Sequence, residues 1–256
     1  LRQVAVNGIL AIGMTFVIMT GGIDLTVGSL VAVAGVISGS ILVVHPEQVI
    51  LAVLAGIVVC GLFGAMNGFF VAYMEVPAFV ATLAGMTIAR GFAYVYSDGK
   101  PYTLNSPKFR IIGQGMAPII IFLAILLICH IVLSKMKFGR YIYATGGNIK
   151  AAEASGVNTK KILMKVYILA GTLSGIAGIV LASRTNSGQP AVGTGFETDA
   201  IAAAVIGGTS MTGGIGTIPG TLVGILIIGT LNNSLNLLNV SSYYQQIIKG
   251  IIILGA

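Results

Sequence analysis

Nine uncharged polar residues stand inside long apolar runs of this sequence: Asn67, Thr82, Thr87, Ser174, Thr209, Ser210, Asn232, Asn233 and Asn236. An unpaired polar group is costly in hydrocarbon, so each needs a partner on a neighbouring helix or on something that passes between helices. Amides and hydroxyls spread over several apolar segments offer hydrogen bonds without charge, which suits a neutral, hydroxylated solute better than an ion. Asn67, Thr82, Thr209, Ser210, Asn232 and Asn233 are the candidate path residues, with helix-to-helix hydrogen bonding as the plain alternative for each. Asp24 joins them as the acid beside the first glycine-rich break, where it either caps the next helix or faces the path. Arg90, Arg184 and Lys249 lie near segment ends and are expected to snorkel to the interface.

Covalent and metal chemistry find no comparable support. His45 sits beside Pro46 at a loop and His130 is alone in an apolar segment; neither has a nearby nucleophile with a positioned carboxylate, nor metal-ligand spacing. The Gly99-Lys100 pair lacks the upstream glycine and the following Ser or Thr of a phosphate loop. The chain is therefore expected to be no enzyme, to hold no cofactor and to bind no ATP by itself. Cys60 and Cys129 both fall in apolar runs, so no disulfide framework is implied.

The elements that carry these residues follow from composition. The 256 residues are 56% hydrophobic with 36 glycines, and only 8% are charged, where a soluble domain carries roughly 25%. With a mean hydropathy of +0.99, a soluble enzyme, a disordered chain and a secreted disulfide scaffold are excluded. Apolar stretches near ~20 residues recur, each long enough to cross a ~30 Å hydrocarbon core as a helix. Runs such as Val49 to Gly61 and Ile119 to Val132 do not alternate, which excludes a β-barrel.

The fold class is thus all-α, a polytopic transmembrane helical bundle in one domain over residues 1–256. Nine segments are visible: Val4 to Thr20, Val27 to Val44, Val49 to Ala72, Pro77 to Tyr96, Met116 to Ser134, Ile162 to Ser183, Ala200 to Thr212, Ile218 to Leu238 and Tyr243 to Ala256. The sequence starts at Leu1 and stops at Ala256 inside an apolar run, so both ends are expected to be cut, with a first membrane segment or a signal missing.

Orientation rests on one segment. Lys135, Lys137, Arg140, Lys150, Lys160, Lys161 and Lys165 are half of the 14 basic residues and are accompanied by a single acid, Glu153. By the excess of Lys and Arg this loop, about residues 135–161, is cytoplasmic. Residues 97–115 and 184–199 then lie outside, and 21–26 and 73–76 inside. The net charge of +7 records this loop bias and gives no reason to expect nucleic acid.

The basic loop is punctuated by a Gly146-Gly147 turn, Asn148 as N-cap, a short helix from Ile149 to Ser155, Gly156 as its stop, and Asn158 or Thr159 capping the next helix. Ala151, Ala152 and Ala154 give the short helix a small-sided surface. The piece, Gly146 to Gly156 with Glu153 and Ser155, reads as a docking site for a cytoplasmic partner, with a plain connector as the alternative.

Two stretches share a spelling: Met19-Thr20-Gly21-Gly22-Ile23 recurs as Met211-Thr212-Gly213-Gly214-Ile215. Both breaks count as cytoplasmic, so the repeat is read without inversion. Glycine-interrupted segments in the two halves of a membrane protein point to a transport pathway. The glycine pairs four apart, Gly35/Gly39, Gly64/Gly68, Gly171/Gly175 and Gly220/Gly224, suit close helix packing.

Six strings carry a family likeness: residues 22–29 (Gly-Ile-Asp-Leu-Thr-Val-Gly-Ser), 138–144 (Phe-Gly-Arg-Tyr-Ile-Tyr-Ala), 146–148 (Gly-Gly-Asn), 197–203 (Glu-Thr-Asp-Ala-Ile-Ala-Ala), 207–210 (Gly-Gly-Thr-Ser) and 231–233 (Leu-Asn-Asn). From Val6 to its end the chain resembles the permease subunit of a bacterial ABC importer of the ribose type. The resemblance implies an inner-membrane protein with ten helices per subunit, so that the nine segments lack the first. It implies a homodimer with the path at its two-fold axis, and a neutral monosaccharide, ribose foremost, as solute. Two cytoplasmic subunits would bind ATP and Mg, and a periplasmic sugar-binding protein would meet the outside loop around Asn186 and Gln189. Residues 148–156 fall where such permeases place their coupling helix. Similar permeases contain two helix sets of inverted topology, at odds with the parallel reading of the repeat. The rival reading is a stand-alone secondary transporter or channel, which would bury ionisable groups at mid-membrane.

Overall fold

The computed structural model describes residues 2–255. Twelve helices follow in order: α1 (Arg2–Met19), α2 (Val27–Val44), α3 (Val49–Ala72), α4 (Ala78–Tyr96), α5 (Pro107–Gly113), α6 (Ala117–Lys135), α7 (Lys137–Gly147), α8 (Ile149–Ala154), α9 (Thr159–Thr185), α10 (Phe196–Ile206), α11 (Ile218–Leu237) and α12 (Ser242–Gly255). Six of them, α2, α3, α4, α6, α9 and α11, are long and apolar enough to cross a membrane. The apolar part of α1, Val4–Met19, is shorter. The bounds of α2 and α3 coincide with those expected from the apolar runs.

Helices α2 and α9 lie at the centre and are covered along most of their length. By contrast α3, α4 and α6 expose apolar side chains such as Ile50, Leu54, Val58, Val80, Ile120 and Leu127 on one side, as lipid-facing helices do. The centre is held by the glycine pairs. Gly64 packs on the Tyr167 carbonyl, Gly171 on the Cys60 carbonyl, and a Cβ on Gly175 would stand 2.9 Å from the Ile57 Cα. Similarly, Gly35 faces Gly188, and Gly224 lies on the Ala203 carbonyl. With no shared hydrophobic force between helices in lipid, such backbone approach is a main source of association. Gly171→Leu should therefore lower the membrane level of the protein sharply, which immunoblotting of membranes would report; an unchanged level would contradict this packing account.

The segment expected at Ala200 to Thr212 folds differently. Helix α10 spans only 11 residues, about 16 Å at 1.5 Å per residue, and the first half of the crossing is not helical. After α9 the chain forms a two-residue strand, β2 (Ser187–Gly188), antiparallel to β1 (Tyr102–Thr103). It then descends along α2, with Gly188 against Gly35 and Gly193 against Gly28, and α10 begins after Gly195, whose φ is +85°. Irregular backbone at membrane depth is tolerated only where protein satisfies it. Here Arg90 does so: its Nη1 donates to the carbonyls of Pro190 (2.6 Å) and Val192 (2.7 Å). Arg90 therefore does not snorkel, because two backbone carbonyls claim its guanidinium.

The contacts sort the connections onto two ends. Leu104 N donates to Asn186 O, and Ser106 Oγ to Pro46 O, gathering residues 45–46, 102–110 and 186 at one end. At the other, Lys160 pairs with Glu75 at 3.0 Å, and Gly214 N donates to Met19 O at 2.9 Å. Cysteines replacing Lys108 and Lys150, in a background lacking Cys60 and Cys129, should be labelled from opposite faces by an impermeant reagent. Labelling of both from one face would refute this topology.

Candidate translocation path and coupling surface

The seven path candidates separate into three groups. Asp24, Asn67 and Thr82 belong to the break between α1 and α2, where all three are fully buried. Asp24 Oδ1 accepts from both the amide (2.9 Å) and the hydroxyl (2.5 Å) of Thr26, and Asn67 Nδ2 donates to that hydroxyl at 3.2 Å. Thr82 Oγ1 donates to Ala78 O and Ile23 O, tying the break to α4. Asp24 thus braces the turn two residues on, while the N-cap position of α2 falls to Thr26, which makes no side-chain cap bond.

Thr209 and Ser210 lie in the break between α10 and α11. Thr209 is buried with its hydroxyl unpartnered among the described residues, and Ser210 Oγ bonds Thr212 Oγ1 at 2.8 Å. The two similarly spelled breaks meet. Besides the Gly214 N to Met19 O bond, the backbone of Gly213 lies against Gly21 and Gly146. Helices α1 and α10 both end at this junction, so the repeat keeps one sense, as read from the sequence.

Gly146 fits into the same junction, where any Cβ would fall on the Met19 carbonyl, whereas a Cβ on Gly147 would meet nothing within 4 Å. The expected Gly146-Gly147 turn is instead the last turn of α7, continuous with Lys137. The rest of the loop is as punctuated. Asn148 Oδ1 accepts from Ala151 N at 3.0 Å, Asn158 Oδ1 from Lys161 N at 3.0 Å, and Gly156 stops α8 with a φ of +83°. Ala151, Glu153, Ala154, Ser155 and Gly156 are exposed; Ala152 is buried against the protein itself, and Glu153 accepts from the Thr159 hydroxyl at 2.5 Å.

Asn232 and Asn233 form the third group, on α11, and Asn232 brings in residues the sequence did not single out. Asp199, in the first turns of α10, pairs with Lys249 Nζ at 2.8 Å and accepts from Asn7 Nδ2 at 3.1 Å and Asn232 Nδ2 at 3.4 Å. The two charged side chains are 7% and 21% exposed, so Lys249 is held inside by its counter-charge and does not snorkel. Asn233 is exposed beside this cluster.

At the opposite end, Asn186 adopts a left-handed turn (φ +50°) that ends α9, and it lines an open cavity of about 600 Å³ with Arg110, Asn105 and Gln114. Gln189 is exposed.

The family described as "Branched-chain amino acid transport system / permease component" matches residues 1–256. The chain belongs to this permease family. It is 47% identical over 263 residues to the ribose import permease protein RbsC of Bacillus subtilis (strain 168), covering 100% of this chain and 81% of that protein. It is likewise 47% identical over 265 residues to RbsC of Escherichia coli (strain K12), covering 100% and 82%. To the L-arabinose transport system permease protein AraH of the same strain it is 40% identical over 258 residues, covering 99% and 78%. No solved structure matches. The permease is a transport component and a multi-pass protein of the bacterial inner membrane.

Sequence reasoning missed Asp199, Asn7 and Arg90 as parts of the permease's interior. Asp199 stands immediately before the apolar run that starts at Ala200, a usable signal, since an acid entering a membrane segment calls for a partner. Its partners, however, lie 192, 33 and 50 residues away, and nothing in the chain's spelling joins them.

Proposed function

We propose that the chain is the membrane-spanning subunit of an ATP-driven importer that conducts a neutral monosaccharide, ribose foremost, from a periplasmic binding protein to the cytoplasm. The identity of 47% over the whole chain to ribose import permeases carries this reading. The interior chemistry supports it. A branched-chain amino acid brings an ammonium and a carboxylate, each needing a counter-charge, whereas Asp199 and Lys249 already neutralise one another. A sugar needs only amide and hydroxyl partners.

In this reading residues 1–256 act as one transmembrane domain and the partner is a second copy of the chain. Helix α11 exposes Thr230, Asn233, Ser234 and Asn236, polar groups that are costly against lipid and useful along a path between two copies. Thr209, Ser210, Asn232 and Asn233 line that path, and Asp24, Asn67 and Thr82 brace the break that flanks it. The exposed face of α8, from Asn148 to Gly156, docks on a cytoplasmic subunit that holds ATP and Mg. The delivery protein meets Asn186 and Gln189.

The buried Asp199–Lys249 pair and the buried Asp24 are features a stand-alone ion-coupled carrier would share, and uptake separates the two readings. Proteoliposomes holding the permease with its ATP-binding subunit and delivery protein should accumulate labelled D-ribose only with internal or external ATP on the nucleotide-binding side, and should not accumulate leucine. Ribose uptake by the permease alone, or leucine uptake by the complex, would overturn the proposal.

A further inference from the structure

A partly open cavity of about 140 Å³ lies between α1, α10 and α11, lined by Asn7, Asp199, Asn232, Asn233 and Asn236 with Val4, Ile225 and Ile228 as apolar walls. Three observations bear on what it holds. First, Asp199 is fixed from three directions, by Lys249, Asn7 and Asn232, so its carboxylate is oriented before any ligand arrives. Second, Asn232 spends its amide NH₂ on Asp199, and its Oδ1 is buried without a partner among the described residues. A buried acceptor of that kind calls for a donor. Third, the volume exceeds the need of a single water, about 30 Å³, yet is well below the ~300 Å³ of sites for drug-sized ligands. An apolar cavity of roughly 150 Å³ takes up one six-membered carbon ring.

We infer that this cavity is a sugar subsite within the permease, in which Asn232 Oδ1 and Asp199 accept from the hydroxyls of one monosaccharide ring while Val4 and Ile228 cover its C–H face. The inference rests on the sugar-importer reading above and adds to it a defined place of binding. The chemistry is selective in the required sense. A sugar ring presents hydroxyl donors around its edge and apolar C–H groups on its faces, matching a wall of amides and a carboxylate beside aliphatic side chains. A phosphorylated or zwitterionic solute finds no unpaired counter-charge, because the lysine is already paired. Access runs past Asn233 and Asn236, both exposed, on the side of α11 that carries Thr230 and Ser234.

The test uses Asn233→Cys at the mouth, in a permease lacking Cys60 and Cys129, reconstituted in nanodiscs and labelled with a small thiol reagent. Saturating D-ribose should slow labelling about fivefold or more, ribose 5-phosphate should not, and the added change Asn232→Leu should remove the protection. If the leucine variant inserts poorly, Asn232→Ala tests the same loss of the acceptor. Absence of protection by D-ribose, or protection that persists without the Asn232 amide, would overturn the subsite. Ribose uptake by the complete importer with Asn233 and Asn232 unchanged is measured alongside. A complex that transports ribose while the cavity shows no protection refutes the subsite alone; a complex that transports no sugar refutes the functional reading beneath it.

Discussion

Gly146→Val should abolish sugar uptake, and Gly147→Val should leave the fold of the permease intact. The two glycines are adjacent in the last turn of α7, so helix propensity predicts the same small effect of valine at both, under about 1 kcal/mol. Their surroundings differ completely. A Cβ on Gly146 falls on Met19 O and 2.5 Å from Gly214 N, the two atoms that share the 2.9 Å bond joining the α1–α2 and α10–α11 breaks. The side chain must either displace α7 or part that bond, and a buried backbone group left unpaired costs about 1–3 kcal/mol.

Around Gly147 there is open space, so a new side chain there touches only what docks on α8. The expected pattern is loss of uptake with reduced thermal stability for Gly146→Val, and normal membrane level for Gly147→Trp with uptake lost through the partner. Uptake in proteoliposomes and thermal unfolding of the detergent-solubilised permease measure both. Normal uptake in Gly146→Val, or in Gly147→Trp at normal membrane level, would remove the junction or the docking surface respectively.

The parts of this architecture that are legible in the sequence are those fixed by local chemistry. Helix α2 lies between the turn at Asp24 and His45-Pro46, and α3 starts after His45-Pro46, where charged or turn-forming residues interrupt the apolar runs, so these bounds follow from hydropathy. Asn148 and Asn158 declare themselves as caps because a short side-chain acceptor before a helix has few other uses. The α10 crossing was not legible, because Gly207 and Gly208 do not interrupt hydropathy even though they end the helix. The first half of that crossing depends on Arg90, about 100 residues away, supplying donors to the carbonyls of Pro190 and Val192. The same limit applies to the site. Asparagines on α11 could be read as polar residues inside an apolar run, but the carboxylate and ammonium that organise them come from α10 and α12, and α1 adds Asn7. Length in sequence hides such a cluster; burial and distance display it.

Lys249→Met should destabilise the permease far more than the double change Asp199→Asn with Lys249→Met. In the native pair, Nζ lies 2.8 Å and 3.1 Å from the two carboxylate oxygens, and Asp199 keeps 7% of its side chain exposed. Removing the ammonium alone leaves a carboxylate with only the Asn7 and Asn232 amides, and an uncompensated buried charge costs about 3–5 kcal/mol. The N-terminal turns of α10 lower that cost a little, since a helix start favours an anion by about 0.3–1 kcal/mol. Removing both charges leaves an amide whose oxygen Asn7 and Asn232 still satisfy, and exchanging a whole buried pair for uncharged groups is often neutral. Thermal unfolding of the two variants in the same detergent should show a large fall for the single change and recovery for the double. Equal stability of the two would mean that the pair is solvated and that the cluster is no interior site. Uptake reads a second property of the same residues: the double variant, though stable, lacks the fixed carboxylate that accepts a sugar hydroxyl, so its ribose transport should remain low. Wild-type transport in a stable double variant would confine Asp199 and Lys249 to holding α10 against α12.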